Sequence, residues 1–117
     1  MLFRIDPESD VPLFEQLAAS IRTAVIRGDA IDGERLPAAR ELADSLDINV
    51  HTVLRAYQEL RDQGLLELRR GRGAVITQRA ADYGPLRDAV EHAIAQARSA
   101  GLPATALAAM IREAYRD

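Results

Sequence analysis

Two amphipathic stretches of this chain, Pro37 to Leu46 and Val50 to Gln63, are separated only by Asp47-Ile48-Asn49. No other feature narrows the fold as much. Both stretches repeat apolar residues at the three- and four-residue steps of a helix. The spacing predicts one helix with Leu42, Ala43 and Leu46 on its inner side, and a second helix stopped by Gly64. A turn this terse joins the two helices of a helix-turn-helix.

The flanking sequence completes the pattern. Asp10-Val11-Pro12 opens an earlier helix, because proline in a first turn sacrifices no hydrogen bond. Leu13, Leu17, Ala18, Ile21, Ala24 and Val25 mark its apolar stripe, and Gly28 reads as its stop. The next segment, "GDAIDGERLP", reads as a loop. After Gly64, "LLELR" and "AVIT" are short strand candidates around "RGRG", which makes them a hairpin. Composition shifts after Thr77, where "QRAADYGP" reads as a joint. Leu86, Val90, Ala93, Ile94 and Ala97 then mark a helix, Gly101-Leu102-Pro103 breaks it, and Leu107, Met110, Ile111 and Ala114 mark another, with Thr105 near its start. The expected fold is mainly α with a small β-hairpin. A winged helix-turn-helix over 1–78 is followed by a short C-terminal helical hairpin over 79–117.

Charge gives the hairpin a purpose. The chain carries a formal charge of −3, yet Arg69, Arg70, Arg72 and Arg79 follow one another with no acid between them. Gly71 and Gly73 permit the positive φ of a tight turn. Arg70 and Arg72 then project from its tip, where arginine can enter a narrow groove or grip phosphates. Overall acidity argues against a non-specific nucleic-acid coat but not against a local basic patch. All 15 basic residues are arginine, a bias that genomic base composition explains without reference to function.

On a wheel of about 100° per residue, Val50, Val53, Tyr57 and Leu60 share one side of the 50–63 helix, with Leu54 at its edge. These are expected to pack against the two earlier helices. The opposite side carries His51, Thr52, Arg55, Glu59 and Asp62. No acid occurs from Ile48 to Gln58, so only the N-terminal half of this side suits a phosphate backbone. Asn49, His51 and Thr52 are suited to base or phosphate hydrogen bonds, and Arg55 to a phosphate or a guanine edge. A solvated face of mixed charge competes with this reading. The neighbouring arginine tip favours DNA.

The stretch "LPAARELADSLDINVHTVLRAYQELRDQGLLELRRGRGAVI" resembles the DNA-binding region of GntR-family bacterial transcription regulators. The likeness runs from about Pro12 to Thr77. It includes "LP-x-x-REL" opening the second helix, "T-V" in the third, "EL" and "GL" at its end, and "R-R-G-R-G" in the wing. "TVLRAY" and the short C-terminal part are similar to the YtrA-like subfamily. The resemblance implies that Arg40 reaches DNA from the second helix. It also implies that Asn49, His51, Thr52 and Arg55 form the turn and recognition-helix contacts, and that Arg70, Gly71 and Arg72 form the wing tip. Ala38 stands where relatives often have a capping Ser, a loss of about 1 kcal/mol. Val50 and Leu54 stand where many relatives carry Arg. The same region resembles regulators fused to an aminotransferase-like domain, which the residues after Thr77 are too few to supply.

The residues after the joint are also too few to enclose an ordinary ligand pocket. Their stripes suit a partner helix, so Leu86, Val90, Ile94, Leu107, Met110 and Ile111 are the expected dimerisation residues; packing back on the same subunit is the alternative. The implied partners are a double-stranded operator, read as an inverted repeat by a homodimer, and a small-molecule effector of unspecified identity. The expected role is transcriptional regulation, chiefly repression. The competing role is a winged-helix protein-interaction adaptor. An enzyme is not expected: there is no Cys, the two histidines His51 and His92 lie far apart, and no nucleophile elbow, phosphate loop or metal pair is present. No cofactor or metal is expected. Without a signal sequence or an apolar run of about 20 residues, the expected location is cytoplasmic rather than membrane.

Overall fold

The computed structural model describes residues 3–71 and 73–116. The chain divides into two compact units, Met1–Gly84 and Pro85–Asp117. The first contains α1 (Leu13–Arg27), α2 (Ala39–Leu46), α3 (Val50–Asp62), β1 (Leu66–Arg69), β2 (Gly73–Ile76) and a short 3-10 helix (Gln78–Tyr83). The second unit consists chiefly of α4 (Gly84–Ser99) and α5 (Ala104–Tyr115).

Each helix of the first unit ends for a local reason. Gly28 takes φ 81° beyond α1, and the Asp29 amide donates back to the Ala24 carbonyl at 2.9 Å. This left-handed cap satisfies carbonyls that the helix leaves open. Gly64 repeats the device after α3, with Leu65 donating to the Leu60 carbonyl at 3.0 Å. After α2 the left-handed residue is Asp47, at φ 56°, and Ile48 donates to Ala43 at 3.0 Å. Aspartate tolerates this conformation better than most side chains, which lets a three-residue turn close without glycine.

Pro12 is the cap of α1 rather than a residue of its first turn. The second helix starts at Ala39, two residues later than the sequence suggests. Ala38 still has extended ψ, 144°, and no side chain caps the helix. Pro37 bars α-helical geometry at Leu36, whose amide is drawn instead into the wing. The third helix ends one residue early, at Asp62, with Gln63 as its cap.

The wing differs most from expectation. β1 and β2 pair antiparallel in the register Leu66–Ile76, Glu67–Val75, Leu68–Ala74 and Arg69–Gly73. The segment read as loop supplies a third line of backbone. Gly33 donates to Ile76 at 2.8 Å, Ile76 to Glu34 at 2.9 Å, and Leu36 to Ala74 at 2.9 Å, with Arg35 bridging Val75. β2 is therefore flanked on both edges, which explains why Ala74, Val75 and Ile76 are all buried. At the base of the wing, Thr77 Oγ1 donates to the Gly64 carbonyl and its amide donates to Leu65.

Leu17, Ile21, Val25, Leu36, Val53, Leu60, Leu65, Leu66 and Ile76 are the largest fully buried side chains. Each contributes about 1.5–3 kcal/mol relative to exposure. They come from α1, α3, the wing and the strand-like segment, and the smaller buried surfaces of Leu42 and Ala43 bring α2 into the same cluster, so one core fixes every element that presents the site. The joint after Thr77 is ordered as the 3-10 helix, whose Ala80 and Tyr83 pack on this core. The first unit accordingly runs on through this helix to Gly84. In the second unit α4 buries only Ala97 and α5 buries nothing.

Candidate nucleic-acid interface

The N-terminus of α3 is built by Asn49. Its side-chain oxygen accepts from the His51 amide at 2.8 Å, satisfying a donor the helix leaves free. That oxygen is committed to the cap, and the Asn49 amide group remains for other partners. His51 is exposed and Thr52 half-buried one step further along the helix. Arg55 follows one turn later, exposed, with its guanidinium carbon 3.7 Å from the centre of the Phe14 ring. Together with Pro12, Leu13, Phe14 and Glu15 from the start of α1, these four polar residues line one open cleft of about 690 Å³.

The buried side of α3 holds this end in place. Val53, Ala56, Tyr57 and Leu60 are inside. Tyr57 Oη donates to the Pro37 carbonyl at 2.7 Å. Burial raises the phenol above its ordinary pKa, so the hydroxyl keeps its proton for that bond. Arg22 donates twice to Gln63 Oε1, tying α1 to the far end of α3. Leu54, expected at the edge of the packed side, is 39 % exposed and belongs to the outward face. It lies about 100° from the centre of the buried stripe, too far round to reach the core.

Gly71 and Gly73 both take positive φ, 79° and 73°. A side chain at Gly71 would meet no atom within 4 Å, so the backbone conformation alone calls for glycine there. Arg70 and Gly71 are exposed; Arg72 lies outside the described residues. The wing glycines line a second groove with residues 34–38 and Glu41. Its carboxylates, Glu34 and Glu41, oppose phosphate inside the groove. Arg40, exposed on α2 beside Glu41, lines neither cleft.

The structure thus brings Asn49, His51, Thr52 and Arg55 together, and sets the wing tip against the entry to α2. Arg40, Arg55 and Arg70 make no ion pair among the described residues, whereas Arg69 is paired with Glu67 at 3.0 Å. Phe14 was missed by sequence reasoning, because nothing in a helical period signals a contact with a residue two helices away. Among the described residues there is no cluster of His, Cys, Asp or Glu able to hold a metal, and no helix is long and apolar enough to cross a membrane.

Of the six dimerisation candidates, Leu86, Val90, Ile94, Met110 and Ile111 are exposed, and Leu107 is half-buried.

A helix-turn-helix with a three-residue turn, an unpaired polar helix end and a glycine-tipped basic hairpin define a winged-helix protein of the DNA-binding class. The model of the gntR family of bacterial regulatory proteins matches residues 13–76, more than half of the chain. The chain belongs to the GntR family. It is 38 % identical over 79 residues to the HTH-type transcriptional repressor YtrA of Bacillus subtilis, a match covering 68 % of this chain and 61 % of that protein. This chain therefore corresponds to less than two thirds of that relative's length. Among solved structures it is similar to YtrA from Sulfolobus acidocaldarius, a GntR-family transcription factor, with TM-score 0.63 and 33 % identity over 81 % of this chain and 99 % of the other. It is also similar to AraR(DBD) in complex with operator ORX1, with TM-score 0.56 and 27 % identity, covering 65 % of this chain and 93 % of that one.

Proposed function

We propose that this chain is a sequence-specific transcription regulator that binds an inverted-repeat operator as a homodimer and represses by occluding a promoter. The observation that carries the reading is the gathering of Asn49, His51, Thr52 and Arg55 at one capped helix end, within the same unit as an arginine-bearing wing. Short polar groups there suit base edges, and Arg40, Arg70 and Arg72 suit the flanking phosphates. The similar AraR domain is bound to an operator, and the similar B. subtilis YtrA is a repressor, which supports both parts of the reading. No catalytic step is assigned to any residue.

The segment 79–117 is proposed as the dimerisation region. Apolar side chains left open along α4 and α5 favour association with a second copy, because water-exposed stripes of this kind are costly. Two copies would present paired recognition helices to half-sites about one helical turn apart. If about six to eight phosphates are neutralised, affinity falls steeply with salt.

Selection of bound sequences from a random DNA pool, followed by mobility shifts under competitor DNA, tests the proposal. A symmetric motif bound at nanomolar concentration is expected. Binding that disappears under competitor DNA, with no motif enriched, overturns it in favour of the protein-interaction adaptor.

A further inference from the structure

We infer that Phe14, which lies outside the helix-turn-helix, is a positioning residue that aims Arg55 at a guanine edge and thereby sets base preference. The inference rests on the proposed DNA-binding reading. Phe14 is half-buried and packed against the core. That packing anchors the side chain. The Arg55 guanidinium sits over its face, 3.7 Å from the centre.

Two carboxylates offered Arg55 an alternative. Glu59 lies one turn further along α3, and Glu15 lines the same cleft. Arg55 pairs with neither, and its guanidinium nitrogens have no hydrogen-bond acceptor among the described residues. Stacking uses the flat face of a guanidinium and leaves its in-plane N–H donors open. Those donors are the ones that make a bidentate bond to O6 and N7 of guanine. A free arginine side chain loses considerable rotamer entropy on binding, and a stacked one has already lost part of it. Asn49, His51 and Thr52 border the same cleft, so the arginine is held beside the other base-reading groups.

The stack itself is read in the free protein by NMR. Ring current should move the Arg55 Nε–H resonance upfield in the wild type and in Phe14→Tyr, but not in Phe14→Leu. An unshifted resonance in the wild type overturns the inference without any appeal to DNA. Its consequence is read on the selected operator and on copies with each guanine replaced by 7-deazaguanine. The wild type should lose affinity at one guanine of each half-site. Phe14→Leu should bind about threefold to tenfold more weakly and lose the sensitivity at that guanine. Phe14→Tyr should restore both, and Phe14→Leu should add little to Arg55→Ala.

Additive losses in the double variant, or equal weakening by Phe14→Leu on every sequence, overturn the inference and leave DNA binding standing. A folded wild type that binds no DNA overturns both.

Discussion

The Tyr57 hydroxyl donates to the Pro37 carbonyl at 2.7 Å, linking the buried side of α3 to the residue that leads into α2. Pro37 directly follows Leu36, whose amide is held by the wing at Ala74. Two hydrogen bonds thus connect the recognition helix, the lead-in to the second helix and wing strand β2. The relative placement of the three is a property of the folded core, present before any DNA arrives.

Tyr57→Phe leaves the Pro37 carbonyl without its donor. A loss of about 1–2 kcal/mol in unfolding free energy is expected, read by urea titration. The same pair of proteins reports on pH. Burial raises the folded-state pKa of Tyr57, so the unfolded chain releases that proton first. Stability from this group is complete below the ordinary tyrosine value near 10 and declines as pH rises beyond it. The alkaline decline should be shallower in Tyr57→Phe than in the wild type.

Asp47 holds a left-handed conformation, φ 56°, at the centre of the helix-turn-helix. A β-branched side chain is poorly accommodated there. Asp47→Val should cost about 1–2 kcal/mol, seen as a lower thermal midpoint. Asp47→Gly should keep the midpoint near that of the wild type. Equal midpoints for valine and glycine would count against the strain.

Arg55 and Arg70 are expected to act differently on DNA. Thr52→Ala and Arg55→Ala should relax base preference in a competitive selection. Arg70→Ala should weaken binding to all sequences alike and flatten the slope of log affinity against log salt by about one per subunit. Unchanged binding by all three variants would refute the assignment of the interface.

Val90 and Met110 lie exposed on α4 and α5. If these helices form the dimer interface, Val90→Glu or Met110→Glu buries an unpaired charge and should weaken self-association at least about 100-fold. Sedimentation equilibrium measures it directly. Operator affinity should fall with it, while the helical content of each monomer stays the same.

What could be read in the sequence was local. Gly28 and Gly64 announce helix ends by chemistry confined to one turn, and the structure closes α1 and α3 there. The wing was legible from its glycines, since Gly71 and Gly73 do take positive φ. Long-range pairing was not. Residues 33–36 pair with the wing through backbone hydrogen bonds, and backbone groups leave no periodicity. Leu54 looked like an edge residue of the core because a wheel does not reveal how much of a helix its neighbours cover. Phe14 and Arg55 meet across two helices, a relationship that only the folded core brings about.

In the proposed complex the start of α3 and the wing tip touch one duplex. The chain contains no cysteine, so a single one can carry an iron chelate that cleaves nearby DNA. Gln58→Cys places the chelate on the outward face of α3, and Leu68→Cys places it on the exposed side of the wing. Both labelled proteins should cut the same half-site of the selected operator, at adjacent positions. Cutting from Gln58→Cys with none from Leu68→Cys, while both proteins bind with equal affinity, would contradict it.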